Sequence, residues 1–139
     1  MRRFNIFVIE DDDVDFMNVE RSLQKINIIN PIIRAKDGAE AWQILTSGEI
    51  EHPIIIFLDL SMPQMGGHEF LKLLRSHPEY NKVPVIVMTV STEESDKDTA
   101  YDTGIQGYVI KPLQFDDFVD ILKTINAYWS ICEVPNDRK

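Results

Sequence analysis

The hydrophobic residues of this chain fall alternately into short continuous runs and longer segments with helical spacing. The short runs, rich in Ile and Val, lie at residues 5–9, 31–35, 53–58, 83–88 and 107–110. Continuous runs of this length are typical of strands that are buried on both faces of a sheet. Between the runs, apolar residues recur every three or four positions, which predicts amphipathic helices. Five strand–helix units with connections of this length predict right-handed crossovers and a doubly wound parallel α/β sheet.

Capping signals mark several helix ends. Asp12 or Asp13 is available as the N-cap of the first helix, and Asp37 with Glu40 resembles a capping box at the start of the second. Gly48 stands where a left-handed residue would end the second helix. The fourth helix has few apolar residues, so we expect it to be the least firmly packed. The fifth is long, and its apolar positions are Phe115, Phe118, Val119, Leu122, Ile125 and Trp129.

Four of the five predicted strands end in residues able to bind phosphate or a divalent cation. These residues are Glu10 with Asp11, Asp59, Thr89, and Lys111 with Pro112. The carboxyl ends of parallel strands meet at one edge of a sheet, where ligands of open α/β folds bind, so we expect the four tips to converge. Three neighbouring carboxylates repel one another and raise their pKa values unless a cation is present. Oxygen ligands without a histidine, in a site with room for phosphate, favour Mg²⁺.

The same residues fit phosphoryl transfer to a carboxylate. An Asp side chain can act as a nucleophile and form an aspartyl-phosphate. The reaction requires mainly positioning and neutralisation of charge by a cation, an ammonium group and a hydroxyl donor. Asp59, Lys111 and Thr89 supply the protein's share of these groups.

Composition and charge restrict the class of protein. The chain has 139 residues, 44% of them hydrophobic, which fits one domain with a single core. A net charge of −9 opposes binding to a nucleic-acid backbone, which depends on Lys and Arg. No apolar stretch is long enough to span a bilayer and the N-terminus runs directly into a strand, so we expect a cytoplasmic protein without membrane or nucleic-acid partners. The single cysteine, Cys132, cannot form an internal disulfide.

Taken together, the motifs resemble the receiver domain of two-component response regulators. The matching residues are Glu10-Asp11, Asp59, the segment 60–67, Thr89, and the segment from Tyr108 to Pro112. The resemblance covers essentially the whole chain and implies a flavodoxin-like (βα)5 fold with strand order 2-1-3-4-5. It also implies one receiver domain over residues 1–139, with a core at about 4–129 and a C-terminal extension at 130–139.

The resemblance implies a role for each acidic residue of the site. Asp59 would accept a phosphoryl group from a histidine kinase or a phosphotransfer protein. Asp11, Asp59 and the main-chain carbonyl of Ser61 would bind Mg²⁺ directly, and Glu10 would bind it through water. Such a domain is not an enzyme acting on a free substrate, and it catalyses at most its own phosphorylation and dephosphorylation.

The resemblance also implies a switch. Lys111 and Thr89 would contact the phosphoryl oxygens, and Tyr108 would move inward as Thr89 is drawn toward the site. Ser91 occupies a variable position, two residues after the Thr, at which family members tune dephosphorylation. The residues implied to shape the loops around the site are Pro63, Gly67 and Pro112. The bond that precedes Pro112 would be cis, as is usual in the family.

A looser resemblance concerns the subclass and its partners. The long last helix, ending at Trp129, and the loop at 78–84 are similar to those of single-domain regulators that partner phytochrome-type histidine kinases, some of which form homodimers. The implied dimer face comprises the fourth helix, the fifth strand, the fifth helix and the C-terminal extension. Because about ten residues follow the last helix, we expect a stand-alone switch that has no output domain and signals through protein contacts.

Other functions remain open from the sequence. Val90 suggests a pseudo-receiver, a binding module that works without phosphorylation, because the family usually has a small residue there. A Mg²⁺ phosphohydrolase of the haloacid dehalogenase type is disfavoured because Ser61 stands where its second Asp is required. A flavin carrier of the flavodoxin type is disfavoured because the acidic turn after the first strand would repel a phosphate. The histidines lack metal-ligand spacing, which predicts structural or surface roles for His52, His68 and His77.

Overall fold

A five-stranded parallel sheet with helices on both faces forms the centre of the computed structural model, which describes residues 4–135. The strands are β1 (Asn5–Ile9), β2 (Ile32–Ala35), β3 (Ile54–Leu58), β4 (Val85–Thr89) and β5 (Gly107–Ile110). The helices are α1 (Asp13–Lys25), α2 (Gly38–Thr46), α3 (Gly67–Ser76), α4 (Glu94–Thr103) and α5 (Phe115–Trp129). The strand order is β2-β1-β3-β4-β5 and every neighbouring pair is parallel, so the predicted flavodoxin-like fold is confirmed.

Two hydrophobic layers cover the sheet, one on each face. All residues of β3 and β4 are buried, because their side chains meet helices on both sides. One layer includes residues of α2, α3 and α4, and the other includes residues of α1 and α5. Trp42 lies edge-on to Phe70 in the first layer, with 6.1 Å between ring centroids, and Trp129 lies edge-on to Phe4 in the second, at 6.0 Å.

Local signals place the helix ends as predicted. The Asp12 side chain caps α1 by accepting a hydrogen bond from the backbone N–H of Asp15 at 2.9 Å. Asp37 caps α2 in the same way, through the backbone N–H of Glu40 at 2.8 Å. Gly48 follows α2 with a φ of 80°, the left-handed conformation that glycine adopts without strain. Of the ten helices and strands described for residues 4–135, no helix combines the length and apolar character needed to cross a membrane.

The predicted start of the fourth strand was wrong by two residues. The backbone N–H of Val83 donates to the carbonyl of Tyr80 at 3.1 Å, so Val83 belongs to the preceding turn. Pro84 has no N–H to contribute to the sheet. The strand therefore begins at Val85.

The predicted cis bond between Lys111 and Pro112 was also wrong. Within residues 4–135 the cis peptide bond is His52–Pro53, and the bond before Pro112 is trans. An X–Pro bond intrinsically prefers the trans form by about 0.5–1 kcal/mol. With this trans bond the Lys111 side chain contacts Glu10 and Asp59 at the edge of the sheet.

Candidate functional site

The carboxyl edge of the sheet brings together the tips of four strands. Glu10 follows β1, Asp59 follows β3, Thr89 ends β4 and Lys111 follows β5. Backbone hydrogen bonds align these tips in pairs: the N–H of Asp59 donates to the last residue of β1 at 3.0 Å, and that of Lys111 donates to the carbonyl of Thr89 at 2.8 Å. Glu10, Asp59 and Thr89 are all buried, although each is polar.

The ammonium group of Lys111 lies at the centre of this edge. Its Nζ is 2.7 Å from Glu10 Oε1, 2.8 Å from Asp15 Oδ2 and 3.2 Å from Asp59 Oδ2. Burial alone would lower the pKa of Lys111, but hydrogen bonds to Asp15 and Glu10 outweigh it and raise that pKa above its ordinary value. The side chain is therefore held in its charged form among three carboxylates.

Glu10 is the carboxylate most affected by these surroundings. Burial raises the pKa of Glu10 to about 8; the hydrogen bond from Lys111 opposes this shift and the charge of Asp59 adds to it. The backbone N–H of Asp12 also donates to Glu10 Oε2, at 3.2 Å. Glu10 therefore holds a proton more tightly than an ordinary carboxyl group, even beside the Lys111 ammonium.

We expect Glu10→Gln to remove a pH dependence of stability when metal is chelated. Because the folded-state pKa of Glu10 lies above its ordinary value of 4.5, the unfolded chain releases this proton first as the pH rises. The stability present at low pH is then lost between about pH 4.5 and pH 8. Urea midpoints of the wild type should fall across this range, and those of Glu10→Gln should fall less.

The matched control for that measurement is Glu49→Gln, at an exposed position remote from this edge. Its midpoints should follow those of the wild type at every pH. If the urea midpoint changed equally with pH in the wild type, Glu10→Gln and Glu49→Gln, the expected role of Glu10 would be contradicted.

The edge also offers oxygen ligands for a divalent cation. Carboxylate oxygens of Glu10, Asp11 and Asp59 all lie within 4.8 Å of one another, and Asp11 is exposed to solvent. Mg²⁺ binds oxygen at about 2.0–2.1 Å, so oxygens roughly 4 Å apart can share one ion. This cluster of described residues consists of carboxylates alone, which suits a hard cation and not a soft one. The residues present therefore fit Mg²⁺.

Close backbone contacts shape the loop after β3. The N–H of Ser61 donates to Asp59 Oδ1 at 3.3 Å, and that of Gly67 donates to the carbonyl of Leu60 at 3.1 Å. A Cβ added at Gly67 would lie 2.5 Å from the carbonyl oxygen of Asp59. Only glycine therefore fits here without moving the backbone that presents the Asp59 side chain. Pro63 lies within the same loop.

Thr89, Ser91 and Tyr108 are linked through the loop after β4. The backbone N–H of Ser91 donates to Thr89 Oγ1 at 3.4 Å, and the carbonyl of Ser91 accepts a hydrogen bond from the Tyr108 hydroxyl at 2.9 Å. Tyr108 is half-buried in this arrangement. Val90, the residue between Thr89 and Ser91, is 67% exposed and so lies at the surface of this loop.

Two residues that the sequence analysis did not assign to the site contact it. Asp15 reaches Lys111 from the first turn of α1. Arg34 of β2 donates to the carbonyl of Glu10 at 3.0 Å and to the carboxylate of Asp13 at 2.8 Å. The hydrogen bond from Arg34 to the Asp13 carboxylate lowers the pKa of Asp13. The position of Asp15, three residues after the N-cap of a helix starting at this edge, was a usable signal. No comparable signal existed for Arg34.

The sequence matches a known family over most of its length. The response regulator receiver domain model matches residues 6–123. The probable methanogenesis regulatory protein FilR2 of Methanothrix harundinacea is 31% identical over 129 residues, which cover 91% of this chain and 83% of that protein. The response regulator Rcp1 of Synechocystis is 30% identical over 128 residues, which cover 89% of this chain and 87% of that protein.

Solved structures share the fold at similar sequence identity. The crystal structure of the phosphorylated cyanobacterial phytochrome response regulator RcpA has a TM-score of 0.88 and 27% identity, covering 96% of this chain and 99% of that one. The crystal structure of the Mn²⁺-bound form of response regulator Rcp1 has a TM-score of 0.83 and 28% identity, covering 95% of this chain and 99% of that one.

Proposed function

Because the chain belongs to the family of response regulator receiver domains, we propose that it is the phosphoacceptor of a two-component system and that Asp59 receives the phosphoryl group. The donor is the phosphohistidine of a histidine kinase or of a phosphotransfer protein. The observation that carries this proposal is the contact of the Lys111 ammonium with Asp59 at 3.2 Å and with Glu10 at 2.7 Å. A buried carboxylate beside a fixed cation is suited to hold an added phosphoryl group, because the new charge is offset locally.

The proposed transfer is a displacement at phosphorus. An oxygen of the Asp59 carboxylate attacks, the P–O bond forms as the P–N bond to the donor histidine breaks, and the imidazole nitrogen keeps the bonding electron pair. Lys111 offsets the charge on the phosphoryl oxygens. The hydroxyl of Thr89 accepts a bond from Ser91, which leaves its own hydrogen to donate to a phosphoryl oxygen. Such a reaction depends on positioning and electrostatics more than on covalent chemistry by the protein.

Mg²⁺ is the proposed cofactor. Asp11, Asp59 and the main-chain carbonyl of Ser61 would hold the ion, and Glu10 would hold it through water. When bound, Mg²⁺ supplies a Lewis acid that neutralises charge on the phosphoryl oxygens. The support is the carboxylate cluster, whose oxygens lie within 4.8 Å of one another, and the similarity to Rcp1, which has been solved in a Mn²⁺-bound form.

The proposed readout is a change in protein contacts. Phosphorylation adds about −1.5 to −2 charges beside Thr89, at the end of β4. The face formed by α4, β5 and α5 exposes Tyr101, Ile110 and Tyr128, by 54%, 41% and 60% respectively, and is the proposed contact surface for a second copy of the chain. A phytochrome-type kinase is the proposed donor class, because the similar protein RcpA is a phytochrome response regulator.

A mass measurement after treatment with acetyl phosphate tests the proposed function. With Mg²⁺, the wild type should gain about 80 Da, the mass of one phosphoryl group. The wild type in a chelator and Asp59→Asn should gain nothing, and Asp11→Asn should gain much less. Asp98→Asn, which neutralises an exposed acid on α4, should be labelled like the wild type. If Asp59→Asn were labelled as fully as the wild type, or the wild type were fully labelled without metal, the proposed function would be contradicted.

A further inference from the structure

The guanidinium group of Arg34 bonds to the main chain of the loop between β1 and α1. Its Nε and Nη2 donate to the carbonyl of Glu10 at 3.2 and 3.0 Å, and Nη2 also donates to the carbonyl of Asp11 at 3.4 Å. The backbone N–H of Glu10 donates to the carbonyl of Ala35 at 3.0 Å, which joins the same loop to the end of β2. β2 therefore holds this loop through both its main chain and the Arg34 side chain.

Two further contacts keep the Arg34 side chain in place. Its Nη2 lies 2.8 Å from Asp13 Oδ1, and its Cζ lies 4.7 Å from the centre of the Phe16 ring. The Phe16 ring is itself packed against the hydrophobic layer that includes residues of α1 and α5. The Arg34 side chain is 18% exposed. A planar guanidinium that is both hydrogen-bonded and stacked on an aromatic ring is held in one orientation, unlike a mobile surface charge.

The bonded carbonyls lie on either side of Asp11, a proposed ligand of Mg²⁺. The carbonyl of Glu10 belongs to the peptide unit before the Asp11 Cα, and the carbonyl of Asp11 belongs to the unit after it. Because each peptide unit is planar, fixing both units sets the direction in which the Asp11 side chain leaves the backbone. Asp11 is exposed, whereas Glu10 and Asp59 are buried, so packing restricts the Asp11 carboxylate less than the other two.

The positive charge of Arg34 would by itself oppose the binding of a cation. A guanidinium near the carboxylates of Glu10, Asp11 and Asp59 repels Mg²⁺, and the carboxylate of Asp13 at 2.8 Å offsets part of that charge. If Arg34 acted through its charge, removing it would leave the affinity for Mg²⁺ unchanged or raise it. If Arg34 acts through its bonds to the main chain, removing it lowers the affinity, because partners that orient metal ligands contribute to metal binding.

We propose that Arg34 is a positioning residue of the proposed Mg²⁺ site, and that it holds the main chain on both sides of Asp11 so that the Asp11 carboxylate can share one ion with Asp59. This inference rests on the proposed role of Mg²⁺. The described hydrogen bonds of Arg34 go to main-chain carbonyls and to Asp13, so it acts on the Asp11 ligand through the backbone. A ligand that is already held in place loses less conformational freedom on binding, which raises affinity.

Titration of the full chain with Mg²⁺ alone, followed by isothermal titration calorimetry, tests this inference. Arg34→Met removes the bonds and the charge, and should bind Mg²⁺ roughly tenfold more weakly than the wild type. Arg34→Lys keeps the charge but replaces the planar fork with a single ammonium, and should also bind more weakly than the wild type.

The matched control is Lys36→Met, which removes a positive charge beside the same loop. Lys36 Nζ lies 4.0 Å from Asp13 Oδ1, and the Lys36 side chain is 63% exposed. Because its charge is similarly placed and its contact with the loop is through that carboxylate, Lys36→Met should bind Mg²⁺ as tightly as the wild type or slightly more tightly.

Melting temperatures in a chelator show whether each variant is folded at the temperature of the titration. A loss of stability alone leaves the measured affinity nearly unchanged while the unfolded fraction is small. If Arg34→Met does not fold, Arg34→Lys carries the test. Wild-type or tighter binding by Arg34→Met, wild-type binding by Arg34→Lys, or equal weakening in Lys36→Met would contradict the positioning role and leave the proposed function intact. A wild type that binds no Mg²⁺ overturns the proposed cofactor, and this inference with it.

Discussion

Replacing Lys111 with methionine should destabilise the folded protein by about 3–5 kcal/mol when metal is chelated. Methionine keeps an apolar stem but removes the ammonium that contacts Glu10 at 2.7 Å and Asp59 at 3.2 Å. The side chains of these two acids are 7% and 6% exposed, so they would remain buried without a counter-charge. The loss should shrink at low pH, because Glu10, whose pKa is already raised by burial, then binds a proton.

Urea denaturation in a chelator and in excess Mg²⁺ measures this effect. Added Mg²⁺ should restore part of the lost stability, because a bound cation stabilises the folded state by mass action and replaces some of the missing charge. Lys123→Met, at an exposed position of α5, is the matched control and should change stability by no more than about 0.5 kcal/mol. Phosphorylation of Lys111→Met by acetyl phosphate should also slow by roughly 100-fold. A Lys111→Met protein as stable as the control in a chelator would show that these carboxylates do not require this cation.

Gly67→Ala should cost about 3 kcal/mol or more, because overpacking against backbone atoms cannot be relieved by turning a side chain. The new methyl would lie 2.5 Å from the carbonyl oxygen of Asp59 and 2.7 Å from the Cα of Leu60. The chain must therefore shift at the residue that presents the proposed phosphoacceptor. We expect a large loss of melting temperature together with slower labelling of Asp59 by acetyl phosphate.

The neighbouring glycine provides a close control for that substitution. A Cβ at Gly66 would meet only the carbonyl oxygen of Leu60, at 3.5 Å, which is an ordinary contact. Gly66→Ala should therefore lose less than about 1 kcal/mol, the usual difference at a helix N-cap. Similar melting temperatures for the two variants would show that the close approach at Gly67 is relieved at little cost.

The sequence predicted those parts of the fold that local physical chemistry determines. The bounds of β1 and β5 agree with the structure residue for residue, and the predicted apolar positions of the last helix, from Phe115 to Trp129, span α5. Each of these elements ends where a run or a period of apolar residues ends. The start of β4 was missed because the fate of Val83 depends on a turn bond to Tyr80 that no pattern reveals. The isomer of the bond before Pro112 likewise depends on the surrounding structure, and the family habit did not apply here.

In the candidate site too, some residues were predictable from the sequence and others depend on how the elements pack together. The acids after β1 and β3 and the lysine after β5 were predictable, because the ends of parallel strands share one edge. The partners that hold them were harder to predict. Arg34 contacts the loop after β1 only because β2 lies beside β1 in the sheet. Asp15 contacts Lys111 only because α1 begins at the same edge of the sheet, 96 residues before that lysine.

The division of the core into two layers provides a pair of optical probes. The chain contains two tryptophans, and one indole lies on each side of the sheet: Trp42 beside Phe70, and Trp129 beside Phe4. Indole fluorescence responds to its immediate surroundings, so a variant that retains one of them would report on a single side. Emission recorded during thermal unfolding of the two single-tryptophan proteins would then reveal whether the two halves of the core melt in one cooperative step.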